Sequence, residues 1–266
     1  MQATLVFSHA NGFPAGVYRI LFEHWQAAGW QVLALPKYGH NPRYPVRSNW
    51  RPTRDELLDF ITAQAPGQRV HLVGHSLGGY LSLLAACKRP ELVAGVILID
   101  SPVLSGWRAH TVQVAKATKL IGRISPGKVS KTRRQHWDST EAAHAHYAAK
   151  SVFARWDPRV LADYIACGTE PAPQGGVRLA FHRDVETRFY NTLPHHFGPL
   201  LKKHPPKCPV HFLGGTKSVE VRQVGLAETR AVTRGQITWM EGSHLFPMEQ
   251  PEATAAAVLK LLQPPA

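Results

Sequence analysis

Short apolar runs alternate with longer amphipathic stretches along the first part of the chain. Thr4–Ser8, Gln31–Leu35, Val70–Val73 and Val96–Asp100 are each too short for an ordinary helix and apolar enough for a strand buried on both faces. Between them, Val17–Ala28 has helical spacing and stops at Gly29, and Thr53–Ala65 starts on Thr53 as cap with Glu56 three residues on. A third helix opens directly after Ser76. Strands alternating with helices in this way predict a parallel, doubly wound sheet.

The rhythm breaks after Pro102. Trp107–Pro206 reads as helices and loops carrying Trp137, Tyr147, Phe153, Trp156, Tyr164, Phe189 and Tyr190. The strand pattern resumes at Pro209–Leu213 and Gln236–Met240, and an amphipathic helix over Pro251–Leu262 closes the chain. The expected organisation is one α/β core of about six strands from residues 1–101 and 207–266, with residues 102–206 inserted as a mainly helical cap. The aromatics are expected to form the cap's own core, a few of them lining whatever pocket it covers.

One stretch carries a chemical signature. In Gly74-His75-Ser76-Leu77-Gly78-Gly79 an apolar strand bends sharply into a helix. A serine on such a bend holds its hydroxyl clear of the backbone, and the bend needs neighbours without bulk. The N–H of Leu77, at the start of the helix, faces the place where a carbonyl oxygen gains charge during acyl transfer, and the helix dipole adds to it. The loop His9-Ala10-Asn11-Gly12-Phe13-Pro14 after the first strand can turn backbone N–H groups inward, as the second half of such an oxyanion hole requires. Just beyond the last strand, Gly242-Ser243-His244 puts a histidine at the sheet edge where ligands bind in these architectures.

Composition narrows the setting. The 266 residues are enough for one large domain with a substantial core, and the three cysteines, widely spaced, suit a reducing compartment. No leader and no long apolar span are evident, so a cytoplasmic location without a membrane span is expected. The net charge of +13 would suit nucleic acid, an anionic surface or an acidic substrate. No nucleic-acid module accompanies it, and specific nucleic-acid binding is not expected. Residues 101–206 hold sixteen Lys or Arg against seven Asp or Glu, so the insertion carries most of the excess. His144, His146, His195 and His196 lack acidic or cysteine partners at ligand spacing, and no metal or other cofactor is expected. Glu186, in an Arg- and His-rich stretch, reads as a solvated ion-pair partner, and His9 and His75 as hydrogen-bonded walls of the site.

These stretches together resemble the α/β-hydrolase superfamily, over nearly the whole chain apart from the inserted segment. The resemblance implies Ser76 as nucleophile, His244 as general base, and an oxyanion hole from the N–H groups of Leu77 and a first-loop residue, for which Asn11 is the first choice and Gly12 or Phe13 the alternatives. It also implies a trimmed, all-parallel sheet, because the family usually has two further strands before Thr4. The third triad member departs from the pattern. Its usual loop here reads Gly214-Gly215-Thr216-Lys217-Ser218-Val219-Glu220, without an Asp. Asp100, at the end of the fourth strand, is favoured, and Glu220 is the alternative acid. The activity implied is hydrolysis of a carboxylic ester, a small-molecule acyl substrate, through an acyl-enzyme. Hydrolysis of acyl thioesters or other anionic metabolites, and a catalytically idle ligand-binding or interaction protein, are the alternatives. A homo-oligomer is compatible with all three.

Overall fold

The computed structural model describes residues 2–104 and 127–262. Its main sheet has six strands: β1 (Thr4–Ser8), β2 (Gln31–Ala34), β3 (Val70–His75), β4 (Val93–Ile99), β5 (Val210–Gly215) and β6 (Ile237–Met240). They lie in the order β2-β1-β3-β4-β5-β6, and every neighbouring pair is parallel. Ser8 stands opposite Gly74, His75 opposite Ile99, and Ile99 opposite Leu213. The loops leaving the central strands therefore open at one edge, as parallel strands require.

Helices cover both faces. On one side α1 (Arg19–Ala27) and the last helix, α4 (Pro251–Leu262), pack Ile20, Leu21, Trp25, Ala255 and Val258 against the sheet. On the other, α2 (Arg51–Gln64) and α3 (Leu77–Lys88) supply Leu57, Leu58, Ile61, Leu81 and Leu84. α3 is buried almost all round, which is why its sequence shows no polar face.

Two local expectations need correction. The expected capping role of Thr53 with Glu56 is not met: α2 starts two residues earlier, after Trp50 in the left-handed region (φ 52°), with Pro52 in the first turn. Proline fixes the helical φ there and lacks the N–H that a first turn leaves unpaired. Thr53 and Glu56 thus fall inside the helix, both buried. The second concerns Val17–Ala28, which begins as a 3-10 turn over Ala15–Tyr18 before α1.

Between β4 and β5 the described chain is mainly helical, with helices Gly127–Thr132, Thr140–Ala148, Pro158–Gly168, Arg183–Asn191 and Phe197–Lys203. It also contains a small antiparallel sheet of His136–Trp137, Val177–Leu179 and Thr169–Pro171, which the sequence pattern did not predict. Strands of two or three residues are too short to show alternation. Trp137, Tyr147, Trp156, Tyr164 and Phe189 are buried, whereas Trp107 lies outside the described residues. Among the described residues no helix is long and apolar enough to cross a membrane.

Candidate active site

Ser76 sits alone between β3 and α3, with φ 53° and ψ −114°. A non-glycine residue there is strained and persists only where its surroundings hold it. They do: the Ser76 N–H donates to Ile99 O at 2.9 Å, and Ser101 Oγ donates to Ser76 O at 2.9 Å. Two glycines permit the close approach, since a Cβ on Gly78 would overlap the Ser8 carbonyl and one on Gly74 would overlap the backbone of Gly78. Leu77 opens α3, so its N–H belongs to the first turn, where helical donors have no partner within the helix.

His244 lies on the loop after β6, and its Nδ1 is 2.6 Å from Oδ2 of Asp100. Asp100 immediately follows β4 and is fully buried. Its Oδ1 accepts from the Gly215 N–H at 2.8 Å, and its Oδ2 accepts from Ser218 Oγ at 2.5 Å as well as from His244. Glu220 reaches the same imidazole less closely, with Oε2 3.8 Å from Nδ1 and a half-exposed side chain. Burial works against a charged His244, but the hydrogen bond to Asp100 and the charges of Asp100 and Glu220 outweigh it and hold the pKa above its ordinary 6.5. The two carboxylates and the imidazole form the one metal-type ligand grouping among the described residues. With Nδ1 already bonded to Asp100, it reads as a hydrogen-bonded set.

Ser76 and His244 line one cavity of about 380 Å³. Ala10, Asn11 and Phe13 form its wall on the first-loop side, Tyr190, Val152 and Arg155 come from the inserted segment, Lys217 from the loop after β5, and Val219 and Glu220 from the helix that follows that loop. Gly12 is turned away, with φ 85° and the Glu186 carboxyl group 3.1 Å from where its Cβ would stand. Glu186 is not the solvated partner expected. It is buried, bonded to Arg133 at 2.6 Å, and its backbone carbonyl accepts from Asn11 Nδ2 at 3.0 Å. Arg133 also donates to the hydroxyls of Tyr147 and Tyr164, so the inserted segment braces the first loop from behind. His9 and His75 are both fully buried and hydrogen-bonded. A second cavity, about 930 Å³ and lined in part by His71, Gly95 and Cys208, opens at the opposite ends of the strands, away from Ser76.

Sequence reasoning missed Ser218, Arg133 and Tyr18. Ser218 lies in the very stretch searched for an acid, but a hydroxyl that donates to a carboxylate from another strand has no signature in one dimension. Arg133 was hidden for a related reason: its partners are fourteen to fifty-three positions away.

The sequence model of the alpha/beta hydrolase family matches residues 5–257. Human monoglyceride lipase is 30% identical over 131 residues, a match covering 47% of this chain and 43% of the lipase. The monoglyceride lipase homolog of monkeypox virus is 30% identical over 131 residues, 47% of each chain, so this chain spans less than half the length of these relatives. Among solved structures, the thioesterase domain from the curacin biosynthetic pathway superposes with a TM-score of 0.74 at 19% identity, covering 97% of this chain and 91% of that one. E-2-(acetamidomethylene)succinate hydrolase gives 0.72 at 22% identity, covering 97% and 90%. At such identities the structures speak to the fold alone. The family match, in contrast, runs from within β1 to within α4 and takes in all six strands and the bend at Ser76, and on that extent the chain belongs to the alpha/beta hydrolase family.

Proposed function

We propose that the protein is a serine hydrolase that cleaves carboxylic esters through an acyl-enzyme. The observation that carries this reading is the 2.6 Å contact of His244 with the buried Asp100, on the wall of the cavity that Ser76 also lines. In this mechanism His244 takes the Ser76 proton, and Ser76 Oγ attacks the acyl carbonyl. The N–H groups of Leu77 and Asn11 hold the oxyanion, and the alcohol leaves with the proton from His244. Water activated by His244 then releases the acid. Asp100 keeps the imidazole proton on Nδ1, which leaves Nε2 free to act as base.

Residues 102–206 act in this reading as a cap, whose Val152, Arg155 and Tyr190 close the cavity from one side. Three free cysteines support a reducing, cytoplasmic setting. Monoglyceride lipases and a probable esterase of rice, the latter 35% identical over 98 residues, support an ester as substrate.

Arg155 and Lys217 on the cavity wall favour a second reading, hydrolysis of acyl thioesters or other anionic substrates. Each cation already faces a carboxylate, Glu249 at 3.4 Å and Glu241 at 2.5 Å, so the neutral ester stands first. Added salt would lower kcat/KM on an anionic substrate and leave a neutral ester unchanged if the second reading holds.

The deciding experiment is intact-mass analysis after a serine-directed fluorophosphonate. One adduct on the wild type, absent from Ser76→Ala, supports the proposal. A folded wild type without an adduct makes the protein an idle, ligand-binding member of its family.

A further inference from the structure

Behind the nucleophile, three hydrogen bonds run in single file. The Ala10 N–H donates to Tyr18 Oη at 3.2 Å, Tyr18 Oη lies 2.7 Å from His75 Nδ1, and His75 Nε2 lies 2.9 Å from the carbonyl oxygen of His244. The proton directions follow. A carbonyl oxygen only accepts, so Nε2 carries the ring proton. In a neutral ring Nδ1 is then an acceptor, and Tyr18 must donate to it while accepting from Ala10. His75 is indeed held neutral: burial, then the neighbouring His244, push its pKa well below 6.5, against a smaller opposing pull from the carbonyl. Tyr18 and His75 are 1% and 0% exposed, so water is no substitute partner for either.

We infer that Tyr18 and His75 are positioning residues of the hydrolytic site, a relay that registers the first loop against the bend at Ser76 and the loop carrying His244. The inference rests on the reading of Ser76 and His244 as the acyl-transfer pair. Its physical basis is the geometry of assembly. The oxyanion donor, the nucleophile and the base arrive from β1, β3 and β6, and strand pairing settles only where those strands end. Each loop could still drift by about an ångström, which costs on the order of 10² in rate when reacting groups must meet. The relay removes that freedom at three points at once. It grips the peptide N–H next to Asn11, the side chain next to Ser76, and the backbone carbonyl of His244 itself. The Ala10 peptide is held from its other end too, because His9 Nδ1 donates to the Ala10 carbonyl at 2.8 Å while its Nε2 accepts from the Tyr38 N–H at 2.9 Å. Neither Tyr18 nor His75 lines the cavity of Ser76, so both act through the residues they hold.

The test is steady-state hydrolysis of p-nitrophenyl butyrate by the wild type, Tyr18→Phe, His75→Leu and His75→Gln, with active sites counted by fluorophosphonate titration so that misfolded protein drops out. Tyr18→Phe and His75→Leu are expected to lower kcat by ~10- to 100-fold while KM stays within about threefold. His75→Gln, whose amide can donate to the His244 carbonyl and accept from Tyr18, is expected to recover about tenfold over the leucine variant. Should His75→Leu fail to fold, Tyr18→Phe decides the matter alone. Wild-type kcat in Tyr18→Phe, a loss confined to KM, or a glutamine no better than leucine overturns the inference while leaving the function intact. A wild type that neither turns over the ester nor takes the fluorophosphonate removes the function, and the inference falls with it.

Discussion

Asp100→Asn is the sharpest perturbation of the site. The Asp100 carboxylate accepts from three donors, the Gly215 N–H at 2.8 Å, Ser218 Oγ at 2.5 Å and His244 Nδ1 at 2.6 Å. Asparagine offers one acceptor oxygen and one donor nitrogen. If its oxygen stays on Gly215, its nitrogen faces Nδ1 and Ser218 as a donor. His244 then relieves the clash by moving its proton to Nε2, where it can no longer accept from Ser76. The expected loss in kcat is on the order of 10⁴, the size seen when the same change is made in the best-studied triad. Glu220→Gln provides the contrast. Its carboxylate stands 3.8 Å from Nδ1 with 47% of the side chain exposed, a separation worth ~1 to 4 kcal/mol between an effective dielectric of 80 and 20. Solvent screening of so exposed a group brings this to the low end, ~1 kcal/mol, or roughly fivefold in rate.

The assay is kcat/KM for a neutral nitrophenyl ester across pH 5 to about 9. A base works unprotonated, so the acid limb of the profile follows His244. Because Asp100 and Glu220 together hold its pKa above 6.5 despite burial, the wild-type limb is expected above 6.5. Removing the Glu220 charge moves it downward, with the plateau within about fivefold of the wild-type value. A larger loss from Glu220→Gln than from Asp100→Asn would refute the assignment of Asp100 as the orienting acid.

Two further predictions concern stability. Glu56 is buried with Oε2 unpaired among the described residues, and burial pushes its pKa up from 4.5 to about 7 against a smaller opposing pull from the Gly39 backbone. Between those values the folded state keeps a proton that the unfolded chain has released, so stability falls as pH rises through that window and levels off above it, by at most ~3 kcal/mol. Urea midpoints at pH 5 and 8 are therefore expected to differ more for the wild type than for Glu56→Gln, and an equal difference in the two proteins would sink the idea. Arg133→Met leaves the buried Glu186 carboxylate without its partner at 2.6 Å and is expected to cost ~3 to 5 kcal/mol in urea unfolding. Adding Glu186→Leu removes the stranded charge and is expected to restore a large part, whereas a double variant no more stable than the single would show that the pair is not what holds this region.

Much of the architecture was legible because it rests on local signals. Short runs rich in apolar residues between turn formers mark each strand of the main sheet, and Gly74, Ser76 and Gly78 mark a bend that few other residues tolerate. Where two local signals competed, the reading failed. Thr53 with Glu56 has the form of a capping box, but Pro52 one position earlier and the buried Trp50 set the helix start instead. Glu186 sits among charged neighbours in sequence, which suggests solvent. In space its neighbour is Arg133, fifty-three positions away, and the pair is enclosed by Tyr147 and Tyr164.

The choice between Asp100 and Glu220 was undecidable in one dimension for a reason the sheet makes plain. β4 and β5 are adjacent and parallel, with Ile99 level with Leu213 and the Asp100 N–H donating to Leu213 O at 2.8 Å. A carboxylate leaving the end of either strand can therefore reach the same point beside the loop of His244. What separates the candidates is the set of donors around that point. The loop after β5 turns Gly215 N–H and Ser218 Oγ toward it, and Ser218 also caps the helix Val219–Val224 by accepting from the Val221 N–H at 3.2 Å. Those donors suit a carboxylate arriving from outside the loop. Asp100 meets them from β4 with its backbone at φ 43°, a positive φ that is uncommon outside glycine and that Asp and Asn adopt more readily than other residues. The loop that most often carries the acid in this family here supplies two hydrogen bonds to Asp100, and Glu220, beyond Ser218 and half exposed, faces His244 at 3.8 Å.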